Sequence, residues 1–146
     1  MKFTLKLFCF LLVTTFAFNA CTSKKQERIA KVSEVMKIHD DVMPKMDEIV
    51  SLQGQVKAMM TAINSDSANI DKRLLEKAEK TLDDLNKADV AMWDWMNAFK
   101  MPVDSDPRSH VEIMAYLEEE HKAIEKVSEM MLTSIDNGNA LIKENE

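Results

Sequence analysis

Wound at about 100° per residue, positions 26–63 gather Val35, Ile38, Val42, Met46, Ile49, Val50 and Val56 on one face and leave Asp40, Asp47, Glu48, Ser51 and Gln55 on the other. That spacing predicts a first helix, ended by the turn-forming run Asn64-Ser65-Asp66-Ser67. A second amphipathic stretch, 69–99, turns Leu75, Ala78, Leu82, Leu85, Met92, Met96 and Phe99 inward. The connection Met101-Pro102-Val103-Asp104-Ser105-Asp106-Pro107 cannot continue a helix. A third helix then starts in one of two ways: Asp106 caps it with Pro107 in the first position, or Ser109 and Glu112 form a capping box. Its inward face is Ile113, Leu117, Ile124, Val127, Met131 and Ile135, and Asn137-Gly138-Asn139 supplies a stop signal.

Pro44 lies inside the first stretch and removes the hydrogen bond to the Asp40 carbonyl. Two outcomes stay open: a kinked continuous helix, or a break with Asp40 or Asp41 capping a new one.

Glycine (2) and proline (3) are scarce, and no stretch shows the alternation a strand requires, so the fold class is all-α. Helices of about 30 to 37 residues are about 45 to 55 Å long, and short connections make neighbours antiparallel. The expected fold is an elongated antiparallel three-helix bundle. Pivoting about the two connections sets residue 39 opposite 93, and 93 opposite 115.

Ahead of the bundle, Lys2 and Lys6 precede an apolar stretch, 7–18, interrupted only by Thr14 and Thr15. It is shorter than the roughly 20 residues a spanning helix needs, and it has the form of a signal peptide. Phe18-Asn19-Ala20-Cys21 resembles the lipobox of bacterial lipoproteins, although Phe18 replaces the usual Leu. The expected division is therefore a cleaved signal peptide over 1–20, a lipidated Cys21 with a short linker over 21–28, and a bundle domain over 29–146. The other cysteine, Cys9, lies in the leader. Acylation of Cys21 would leave the mature chain without a thiol, excluding disulfides, cysteine nucleophiles and thiolate metal sites.

Thr22 follows the cysteine where an aspartate would retain the protein, and Ser23-Lys24-Lys25 lacks an acidic surface-export run. By that resemblance the expected location is the outer membrane, facing the periplasm. The formal charge of -6 deepens by two when Lys2 and Lys6 leave with the leader. An acidic domain has no electrostatic footprint for nucleic acid and is repelled by anionic headgroups, so the lipid alone is expected to hold it to the membrane. An envelope protein is the other partner class.

Enzyme signatures are missing: no Gly-rich phosphate loop, no paired-His metalloprotease motif, no nucleophile elbow. His39-Asp40 and Glu120-His121 are adjacent in sequence but point about 100° apart on a helix, poor geometry for an acid–base dyad. A different chemistry is suggested by Met36, His39, Met43, Met92, Met96 and Met114, which the bundle places in one layer. Thioether and imidazole donors suit Cu(I). The competing account is that methionine is adaptable core filler. Trp93, Trp95 and Phe99, with Met92 and Met96, cover about 160° of the second helix, wider than one seam needs. They form either a partner-docking patch or a face buried on both flanks.

Cys21, the run His39-Asp40-Asp41-Val42-Met43-Pro44-Lys45-Met46, and Trp93-Asp94-Trp95-Met96 before Phe99 together resemble uncharacterised small helical lipoproteins of Bacteroidota. These are sometimes labelled "viral A-type inclusion protein", a name that reflects coiled-coil similarity. The resemblance implies envelope location and helical fold and transfers no activity. The functional expectation is a membrane-tethered periplasmic bundle with a non-enzymatic binding or scaffolding role. The alternative is a Met/His-rich Cu(I)-binding protein for envelope metal handling.

Overall fold

The stripes of apolar residues are realised as helices throughout the computed structural model, which describes residues 23–65 and 70–145. Helix α1 covers 23–42, a 3-10 turn covers Met43–Lys45, and α2 (Met46–Ser65), α3 (Lys72–Ala98) and α4 (His110–Lys143) follow. No strand occurs among the described residues. The segment expected as linker, 21–28, is helical from residue 23. The leader and Cys21 lie outside the described residues.

Pro44 produces neither a clean break nor a new cap. Val42 (φ -105°, ψ -21°) and Met46 (φ -59°, ψ -39°) both keep right-handed helical backbone, and no side chain caps the turn. Pro44 falls in the first residues of the 3-10 turn, where a missing N–H is harmless, and the Met46 N–H donates to the Met43 carbonyl. Three residues per turn instead of 3.6 advance the winding by about 20° per residue, about 60° over the turn. The apolar stripe therefore changes phase. Val50, expected inward, is exposed, and Leu52, not expected there, is buried with Met46, Ile49 and Val56.

Asp71 caps α3 by accepting from the Leu74 N–H (3.0 Å). Its buried residues, Ala78, Thr81, Leu85, Ala88, Met92 and Trp95, alternate steps of three and four, the seam of a coiled coil. Leu75, Leu82, Met96 and Phe99, expected inward, flank that seam half-buried. Thr81 is accommodated because its hydroxyl donates to the Lys77 carbonyl (2.9 Å).

Of the two possible starts for α4, the Ser109 capping box forms: Ser109 Oγ accepts from the Glu112 N–H (3.3 Å), and Glu112 Oε2 accepts from the Ser109 N–H (2.7 Å). All six residues assigned to its inward face are buried. The helix does not stop at Asn137-Gly138-Asn139 but continues to Lys143. Gly138 is buried in helical backbone, and no glycine adopts positive φ. A Cβ there would stand 3.1 Å from Leu52 Cδ1. The glycine serves close approach of α4 to α2, and that packing overrides the local stop signal.

Contacts at both ends mark the register. Lys77 pairs with Glu144 at one end, and Lys25 with Asp104 and Glu27 with His110 at the other. Phe99, just past α3, lies over Tyr116. His110 is six residues below Tyr116 on α4, so α1 and α4 run about 9 Å beyond the end of α3. There the non-helical connection 99–109 takes the third position in the bundle.

The two glycines give opposite expectations. Gly54→Ala, exposed with nothing within 4 Å of the added carbon, should stabilise by about 0.5–1 kcal/mol through helix propensity. Gly138→Leu should cost about 1–3 kcal/mol by overpacking against Leu52. Urea denaturation of both variants checks the pair, and a neutral Gly138→Leu would contradict the close approach.

Candidate functional site

A column of rings joins the bundle proper to its α3-free end. His39 lies 5.6 Å from Trp95 between ring centroids, tilted by 32°. Trp95 stacks on Phe99 at 5.0 Å, and Phe99 on Tyr116 at 6.3 Å. The Arg108 guanidinium sits 4.6 Å above the Tyr116 ring, a cation–π contact. Tyr116 OH accepts from the Lys100 N–H (2.7 Å), which fixes the chain leaving α3, while burial pushes its phenol pKa up.

Carboxylates stand at both ends of the column. Asp106 takes three hydrogen bonds from Arg108, from the backbone N–H (3.0 Å), Nε (2.9 Å) and Nη2 (2.7 Å). The side-chain bonds, then the backbone bond, hold its carboxyl pKa down at about 2. At the other end His39 Nδ1 donates to Asp40 Oδ1 (2.9 Å). This corrects the expectation from helical angles alone: the Cα–Cβ directions diverge, yet the two side chains bend together. His121 pairs instead with Glu125, one turn on (3.5 Å).

The His39–Trp95 contact fixes the level of the expected soft-donor layer. Met36 and Met43 lie one turn either side of His39, and Met92 and Met96 flank Trp95. Met92 is fully buried, while Met36, Met43 and Met96 pack half-buried against the core. Met114 does not belong to this layer. It lies on α4 beyond Tyr116, which faces Phe99, so it stands more than about 6 Å along the axis from Trp95. The expected register failed because residues 99–109 descend the bundle instead of turning compactly at residue 104. Among the described residues, His, Asp and Glu side chains form no group of three able to hold a metal ion, so a site at this level would draw on thioethers.

The expected Trp93, Trp95 and Phe99 patch is divided. Trp95 is only 7% exposed, and its Nε1 is buried without a hydrogen-bond partner. Phe99 is half-buried between Trp95 and Tyr116. Trp93 alone faces outward, 52% exposed, with Val90 exposed one turn earlier.

A feature not anticipated from sequence is a small cleft of about 170 Å³ at the end where α1 begins. Ile29 and Val32 of α1 form one wall and Met101, Pro102 and Val103 the other, with Lys25, Arg28 and Asp104 at the rim. Lys25 Nζ donates to Asp104 Oδ2 (2.7 Å) across it. The available signal was three apolar residues in a proline-containing connection. No protein-family model matches the chain, and no curated protein or solved structure shows significant similarity to it.

The Asp106–Arg108 pair has a defined pH signature. A carboxyl held at about 2 in the fold contributes stability present above its ordinary value of 3.8 and lost as pH falls through about 2. Arg108→Ala should return the Asp106 midpoint, followed by carboxyl-carbon NMR, toward 3.8. It should also flatten the loss of stability on acidification from pH 4 to pH 2. An unchanged midpoint would assign the shift to another cause.

Proposed function

We propose that the chain is a lipid-anchored envelope protein whose bundle acts as a non-enzymatic scaffold or binding rod on the periplasmic face of the outer membrane. The observation that carries this reading is the join between tether and fold. Cys21 closes the lipobox-like Phe18-Asn19-Ala20-Cys21, and α1 is helical from residue 23, so little chain separates the acylated residue from the rod. No helix among the described residues is long and apolar enough to cross a membrane, which leaves the anchor as the means of attachment this reading offers. Two or three acyl chains hold a protein firmly where one would not.

Cys21→Ala should abolish incorporation of labelled fatty acid and leave the protein unprocessed or released from membranes. A wild-type protein that is soluble and begins at a residue other than Cys21 would defeat the anchor.

A second reading is a Cu(I) site at the His39 level, and one observation favours it. Donation of Nδ1–H to Asp40 leaves Nε2 as the lone-pair nitrogen of neutral His39, the arrangement metal-bound histidines commonly show. Met36 and Met43 lie three residues before and four after it in the chain. Under reducing conditions the protein should bind about one equivalent of Cu(I), and His39→Leu or Met43→Leu should weaken binding at least about tenfold, about 1.4 kcal/mol. Met114→Leu should change nothing. Equal binding by all three variants and the parent would assign the methionines to packing.

A further inference from the structure

The tether-proximal end of the bundle differs from the rest of its surface. Among the described residues, four of the nine large exposed hydrophobic ones lie there: Ile29, Met101, Val103 and Val111, with exposures from 51% to 75%. They are uncovered for a structural reason. Helix α3 stops at Ala98, and the connection that replaces it closes a turn from the Asp106 N–H to the Val103 carbonyl (3.1 Å) without covering the first turns of α1 as a helix would. The charge is also reversed. Residues 23–32 and 99–112, which form this end, carry Lys24, Lys25, Arg28, Lys31, Lys100 and Arg108 against Glu27, Asp104, Asp106 and Glu112, a formal +2, although the whole chain is at -6. Lys24 has no ion-pair partner among the described residues, and Arg28 makes no close ion pair, acting on Asp104 and Asp106 only at longer range.

We propose that this end, with Met101-Pro102-Val103 as its wedge, seats in the headgroup region of an anionic bilayer and holds the rod in a fixed orientation. The inference rests on the lipid-anchor reading. Two residues reach at most about 7 Å, so an acylated Cys21 keeps the start of α1 at the membrane surface. Apolar side chains among lysines and arginines are the composition that partitions into that interface. A cleft of about 170 Å³ is smaller than the pockets that take ligands, roughly 300–1,000 Å³, and offers no groove for a folded segment. The acidic remainder of the chain does not oppose contact, because charges more than about 8–10 Å from the surface are screened at physiological salt.

The acylated full chain, reconstituted into phosphatidylcholine vesicles with or without phosphatidylglycerol, provides the test. Val103→Cys or, near the far end, Ala140→Cys supplies the only free thiol for an environment-sensitive fluorophore, and mass spectrometry of the N-terminal peptide establishes acylation beforehand. The probe at 103 should be quenched by nitroxide lipids and shielded from aqueous iodide, and the probe at 140 should not. On anionic vesicles, Lys24→Gln and Arg28→Gln should each lower the docked-to-lifted ratio about fivefold. Equal iodide access at 103 and 140 on an acylated chain would overturn the docking while leaving the anchor intact. Shielding of 103 in native envelopes but not in protein-free vesicles would also overturn it, in favour of a protein partner. An unacylated N-terminal peptide would remove the anchor itself, and the inference with it.

Discussion

With two glycines and three prolines in 146 residues, this chain builds helices, and a helix buries apolar surface only through a stripe whose phase matches its neighbours'. Everything else in the structure depends on that match. In α4 the buried positions Ile124, Val127, Met131, Ser134, Gly138 and Leu141 keep steps of three and four through a segment whose local chemistry would end a helix. Each fully buried leucine or isoleucine contributes about 1.5–3 kcal/mol, whereas exposed pairs such as Lys37–Asp41 and Lys122–Glu119 contribute about 0–1. The ion pairs decorate the rod, and the seam holds it.

Proline disturbs the seam at two places, with different results. At Pro44 the backbone stays right-handed and the stripe rotates, so α1 and α2 continue as one arm with a changed buried face. After Phe99, which leaves α3 with ψ 126°, the helix ends outright and the connection through Pro102 and Pro107 descends beside α1 and α4. The second disturbance sets the register of α3 against α4. It places Tyr116 on Phe99, lines up the ring column, and removes Met114 from the level of His39.

Legibility followed these same causes. The apolar positions of α4 from Ile113 to Ile135 could be read because nothing interrupts the pattern there, and the bundle topology followed from it and from the breakers. Leu52 and Val50 were misassigned because a constant 100° step cannot include the 3-10 turn. Thr81 and Trp95 were missed in favour of Leu82 and Met96 because a straight wheel of 3.6 residues drifts from a 3.5-residue seam. Gly138 carried a strong local signal that long-range packing against Leu52 overrode. Of the candidate site, the facing of His39 and the tryptophan-bearing turn of α3 was accessible because it depends on local spacing and one hairpin. The His39–Asp40 contact was not, because it depends on side-chain torsions that spacing does not specify.

Averages also conceal where charge sits. A net charge of -6 implies repulsion from an anionic surface, but a surface senses only what comes within about a Debye length of it. On an elongated rod that is one end. At the end nearest Cys21 the basic residues of α1 stand beside apolar residues left bare where α3 stops, and the connection through Pro102 brings Met101 and Val103 there. The polarity of the rod is thus a consequence of chain geometry: had α3 run its full length against α1, the apolar wall of that cleft would be core.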